Sequence, residues 1–328
     1  MSISGRICLA IALAGTLAGF GTVQQVEAKD SPVRILFVTQ SAGFRHGSVT
    51  RKEGNLSVSE RVMTELGISS NEFRVDCTQD VAKDFTKEKL EHYDIVMFYT
   101  TGKLPIGEED LDYFFNDWLK QKGHGFIGTH SAADTFKDYE PYWDMIGGSF
   151  NGHPWGSGST VTITNHEPNH PIVKAWGEEF TLKDEIYQFK NWQPEKVRVL
   201  LSLNMEKTAL KKPYHIPICW CKSYGEGKVF HMSLGHREDI WTNETYQKSI
   251  LGGIRWIVGE EKGRSTPNPE LSEAQEQLAL AASLSNVTGS LLTQSKEVEV
   301  LQEQVSSLKA TVELLLEQVN QAGIAKAE

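Results

Sequence analysis

Four histidines stand where chemistry can be done. His46, His130, His153 and His236 each lie in a polar, glycine-containing stretch, three of them just after a short apolar run. Imidazole changes charge near neutral pH and ligates transition metals, so such positions suit proton transfer or metal binding. The first lies in Thr39-Gln40-Ser41-Ala42-Gly43-Phe44-Arg45-His46, where Arg45 adds a rigid multi-donor fork. His46 is open there to a ligand role or to capping the next helix. The second lies in Gly125-Phe126-Ile127-Gly128-Thr129-His130-Ser131-Ala132-Ala133-Asp134. A strand entering such a turn and then a helix start would push His130 upward, with backbone N–H groups beside it. The third is Gly147-Gly148-Ser149-Phe150-Asn151-Gly152-His153-Pro154-Trp155, and the fourth Ser233-Leu234-Gly235-His236-Arg237.

Acidic partners come from Lys183-Asp184-Glu185-Ile186-Tyr187. Neighbours in an extended segment point opposite ways, so at most one of Asp184 and Glu185 faces a shared pocket. The catalytic candidates are therefore His130 and His153 as an acid/base pair, oriented by Asp184 or Glu185. Substrate contacts are expected from Phe44, Arg45, His46, Ser131, Asp134, Tyr187, His236 and Arg237, with Trp155 or Trp143 as a further stacking face. His130, His153 and His236 with one carboxylate would also suit a divalent transition metal. No nucleotide is expected.

Stepping outward, the runs at residues 33–39, 93–99 and 125–129 are short, apolar and rich in branched side chains, as in strands buried on both faces. Further strands are expected at 161–164, 197–203, 216–221 and 228–234. Helical stretches lie at 50–66, 86–92, 108–122 and 244–258. This alternation predicts an α/β fold with a doubly wound, mostly parallel sheet flanked by helices. Ligands of such sheets sit at the C-terminal ends of the strands, where the histidine loops fall.

Outside residues 33–259 the composition changes. Residues 1–28 read as a cleavable export signal: Arg6, an apolar run from Ile7 to Phe20, and a processing site after Ala28. A periplasmic or secreted protein with no stable membrane insertion is expected. Residues 260–271 read as a linker. Residues 272–322 carry a heptad, with Leu284, Leu291, Val298, Val305, Val312 and Val319 at a, and Val287, Leu301, Leu308 and Leu315 at d. Val at a with Leu at d favours a parallel two-stranded coiled coil, and Leu316 leaves three strands open. A homo-oligomer through residues 284–319 follows. The net charge of −10 argues against a nucleic-acid partner. Hydrophobic residues at 39% and charged residues at 23% exclude disorder throughout. Cys77, Cys219 and Cys221 remain after signal removal and read as thiols, with one disulfide to Cys77 the alternative.

The ordered series Gly43-Phe44-Arg45-His46, Phe126-Ile127-Gly128-Thr129-His130-Ser131, Gly147-Gly148-Ser149-Phe150-Asn151-Gly152-His153-Pro154, Asn169-His170-Pro171, Asp184-Glu185-Ile186-Tyr187 and Leu234-Gly235-His236 resembles that of ThuA-like (trehalose-utilisation) proteins. The resemblance implies a flavodoxin-like fold related to class I glutamine amidotransferases, without their cysteine nucleophile. His130 stands where that thiol would be, so amidotransfer is disfavoured. It further implies sugar catabolism, acting on a trehalose-like disaccharide or its 3-keto derivative. A carbohydrate-binding module, multiplied by the coiled coil, is the alternative.

Overall fold

The computed structural model describes residues 31–324. The export signal expected over residues 1–28 lies outside them.

The strands are β1 (Val33–Val38), β2 (Phe73–Thr78), β3 (Ile95–Phe98), β4 (Gly125–Thr129), β5 (Ser149–Phe150), β6 (Thr160–Asn165), β7 (Glu179–Lys183), β8 (Phe189–Lys190), β9 (Arg198–Leu203), β10 (Pro217–Tyr224) and β11 (Gly227–Met232). Nine form one sheet in the order β2-β1-β3-β4-β11-β10-β9-β6-β7, and β5 pairs with β8 beside it. The helices are α1 (Val58–Ser70), α2 (Val81–Asp84), α3 (Lys87–Leu90), α4 (Glu108–Tyr113, continuing as a π turn to Trp118), α5 (Glu140–Ile146), α6 (Glu238–Trp241), α7 (Glu244–Val258) and α8 (Pro269–Ile324).

Strand β1 shows why the sheet is covered twice. Ile35 and Phe37 join the core beneath α1 and α7, and Leu36 and Val38 join a second core with Phe85, Phe114 and Trp118. Both sets are buried, so the run has no polar face to alternate with.

The expectation of a mostly parallel sheet is corrected to a mixed one. Strands β2, β1, β3, β4 and β11 run parallel, whereas β11, β10, β9, β6 and β7 pair antiparallel. A parallel connection needs a crossover of about a dozen residues or more. Tyr224 and Gly227 instead close a tight turn between β10 and β11, and no helix separates β9 from β10.

Helix α1 begins at Val58 rather than near residue 50. Ser57 caps it by accepting from the Glu60 backbone, and the Glu60 side chain returns a bond to Ser57. This reciprocal box fixes the helix start.

The expected linker is packed for much of its length. The Asn268 side chain pairs with Val199 N–H and C=O, standing in for a strand neighbour on β9. Helix α8 then buries Ser272 and Ala279, and every residue from 284 to 318 is exposed. No helix among the described residues is long and apolar enough to cross a membrane. Cys77, Cys219 and Cys221 are free thiols.

Candidate functional site

The C-terminal ends of β1, β4 and β11 point their loops to one place, as parallel neighbours must. His46 arrives on the loop after β1. His130 is the first residue after β4 and takes a left-handed backbone, φ 40°. A non-glycine residue in that region is uncommon and costs about 1–3 kcal/mol. The hydrogen bonding of β4 to β3 and β11 on both sides holds it there. His236 comes from the loop between β11 and α6. Ser48 Oγ bonds the Tyr99 hydroxyl at 2.6 Å, and that hydroxyl donates to the Gly235 carbonyl at 2.9 Å. These bonds tie the loops carrying His46 and His236 to the end of β3.

Glu185 is the centre of the cluster. Its Oε2 lies 3.5 Å from His130 Nε2 and 3.1 Å from His236 Nδ1, and its Oε1 lies 3.4 Å from His153 Nδ1. The His46 ring stands edge-on to His130 and His236 at 4.9 and 5.0 Å between centroids. Burial opposes charge on Glu185, but bonds from His130 and His236 outweigh it and hold the carboxyl well below its usual range. Burial first, then the neighbouring imidazoles, push His46 down to about 2, so it is neutral. Burial also works against charge on His236, yet its bond to Glu185 raises it overall. Ligand atoms of His46, His130, Glu185 and His236 all lie within 4.8 Å of one another, a span one metal ion could fill.

A family model described as trehalose utilisation, ThuA, matches residues 34–257. The chain belongs to the ThuA family. A ThuA-like protein from Bacteroides uniformis aligns with a TM-score of 0.56 at 22% identity, over 74% of this chain and 98% of that one. One from Parabacteroides merdae aligns with a TM-score of 0.56 at 17% identity, over 73% and 94%. These likenesses speak to the fold. No curated protein matches the sequence.

Several expected ThuA site residues stand elsewhere. Trp155 is in the core and donates its Nε1 hydrogen to the Ala209 carbonyl at 2.7 Å, so its ring is no stacking face. Trp143 sits on α5. Asp184 is fully buried and accepts from the backbone N–H of Gly235 at 2.7 Å and of Arg237 at 3.1 Å. It holds the loop carrying His236, while Glu185 faces the cluster. Tyr187 is buried against the His130 ring at 4.3 Å and covers it. Ser131 is buried, and Asp134 pairs with Lys137 at 2.6 Å. Arg237 forks onto Asp239 at 2.8 Å. Phe44 is 67% exposed and lies edge-on to His46 at 4.9 Å. Arg45 is exposed beside it.

Tyr99 and Phe150 were not singled out from the sequence. Phe150 packs on Tyr187 at 4.3 Å and stacks beside His153 at 6.1 Å. The signal for Tyr99 was a polar atom at the end of an otherwise apolar strand. A cavity of about 310 Å³ between Trp192, Tyr214, His215 and the start of α8 holds none of the clustered groups. Chemistry rather than volume picks out the site.

Proposed function

We propose that this chain is an enzyme of carbohydrate catabolism that moves a proton on a trehalose-like disaccharide or its 3-keto derivative. The reading is carried by the convergence of His130, His153 and His236 on Glu185. Sugar binding alone needs aromatic faces and a few hydrogen bonds. Imidazoles gathered around a buried charge suit acid–base work instead. His153 is the proton-transfer group, because its side chain is 53% exposed while Glu185 behind it orients the ring. A hydrogen on carbon beside a sugar carbonyl is acidic enough for imidazole to remove. Phe44 offers a ring face to the sugar, and Arg45 offers donors to its hydroxyls.

The test is turnover of 3-keto-disaccharides by the wild-type protein and by His153→Ala. Loss of an acid–base group is expected to slow turnover by about 10²–10⁴-fold, with sugar binding retained. Binding without turnover by the wild-type protein would reduce the chain to a carbohydrate-binding module.

Two further parts of the reading concern the whole chain. The chain is exported, so N-terminal sequencing of the mature protein from periplasm or medium should begin at Lys29. Helix α8 pairs with α8 of a second copy, as a parallel coiled coil. The exposure of Leu284, Leu291, Val298, Leu301, Val305, Leu308, Val312 and Leu315 supports this over a helix folded back on its own domain. The helices on both faces of the parallel strands support reading that half of the sheet as doubly wound.

A further inference from the structure

His130 Nδ1 lies 3.0 Å from the Ser233 carbonyl oxygen. A carbonyl only accepts, so Nδ1 carries a hydrogen and Nε2 is the nitrogen turned into the cluster. That nitrogen faces His236 Nδ1 at 3.3 Å and Glu185 Oε2 at 3.5 Å, and those two atoms stand 3.1 Å apart. One hydrogen on His236 Nδ1 satisfies one of these contacts. His46 adds a fourth donor residue, and its buried Nδ1 has no hydrogen-bond partner.

The separations also suit a cation larger than a proton. Charge-assisted hydrogen bonds would draw such atoms to about 2.7–2.9 Å. Donors around a tetrahedral ion, with bonds of about 2.0–2.1 Å, stand about 3.3 Å apart by geometry. The three edges of 3.1, 3.3 and 3.5 Å bracket that value.

We propose that His46, His130, Glu185 and His236 together bind one four-coordinate divalent transition ion of the zinc type. Three imidazoles and a carboxylate form a mixed nitrogen and oxygen set suited to such ions rather than to calcium or magnesium. The ligands have the outer supports that metal sites use. Ser233 fixes the tautomer of His130, and Asp184 grips the backbone on both sides of His236. His153 reaches the second oxygen of Glu185 and belongs to this outer layer. The set therefore takes His46 where sequence reasoning had placed His153. With all four positions taken by protein, such an ion would hold the histidine loops together, and Lewis acidity toward a substrate oxygen would require a fifth position to open. The site stands whether or not the substrate is a sugar.

The test uses full-length protein stripped with a chelator and titrated with Zn²⁺, then with Co²⁺, without any substrate. One ion per chain and the strong visible absorption of four-coordinate cobalt are expected. Glu185→Gln and His236→Ala should each weaken Zn²⁺ binding by at least about 10–100-fold, the loss seen even for outer-layer changes. His92→Gln, at an exposed position outside the cluster, should leave it unchanged. Substoichiometric binding by the wild-type protein overturns the proposal. So does stoichiometric binding that survives both cluster substitutions. Should either variant fail to fold, the wild-type cobalt spectrum decides, and the weak absorption of six-coordinate cobalt overturns it.

Discussion

Asp184 and Glu185 are chain neighbours with opposite tasks, because extended backbone sends successive side chains to opposite sides. Glu185 collects imidazoles, and Asp184 collects the backbone N–H groups flanking His236. Asp184→Asn keeps the shape but turns an amide NH₂ toward one of those donors. An unmet buried donor costs about 1–3 kcal/mol. The urea midpoint should fall accordingly, and an unchanged midpoint would contradict the anchoring role. The histidines were legible in the sequence, because polar side chains after apolar runs have few other reasons to be there. Which carboxylate faced them was not legible, since adjacent Asp and Glu differ only in register. Trp155 misled for a similar reason: its place in a glycine-rich loop gave no hint that Ala209 would take its indole hydrogen.

Helix α7 lies against β11 and against the turn at Pro171 at distances that two glycines permit. A Cβ on Gly253 would meet the Phe230 ring at 2.2 Å, and one on Gly252 would meet the Pro171 carbonyl oxygen at 2.0 Å. Ala is the better helix former by about 1 kcal/mol. Overpacking a closed core costs about 1–3 kcal/mol. Phe230 is fully buried and has no room to yield, so the clash wins and Gly253→Ala should lower the melting temperature. A rise would show that the helix can shift outward freely. At this scale the buried strands β1, β3 and β4 were plain in the sequence as apolar runs. Edge strands β2 and β7 were not, because Arg74, Asp76, Glu179 and Lys183 interrupt them with charge. The antiparallel half was misjudged although its cue was present, a strand pair joined by too few residues for a crossover.

Among the described residues, helix α8 runs out from its domain. Residues 284–318 are exposed throughout, their apolar stripe included. The pairing proposed for α8 predicts a monomer in light scattering once both Leu301 and Leu308 are replaced by Asp. The melting of the α/β domain should not change, because neither side chain packs against it. A wild-type protein that is already monomeric at micromolar concentration would defeat the pairing. The long helix α8 was legible, since its apolar period needs no tertiary context. The grip on the domain was not, because nothing marks Asn268 as a stand-in for a strand. That grip has a mechanical consequence. With Asn268 bonded to strand β9 and Ala279 buried a few turns later, the joint is a weld and not a swivel. Each domain is then held at a set bearing to the stalk, and paired stalks would fix the two histidine clusters in a constant mutual orientation. A long glycan could bridge them only if its repeat matched that spacing, whereas a disaccharide would meet two independent sites.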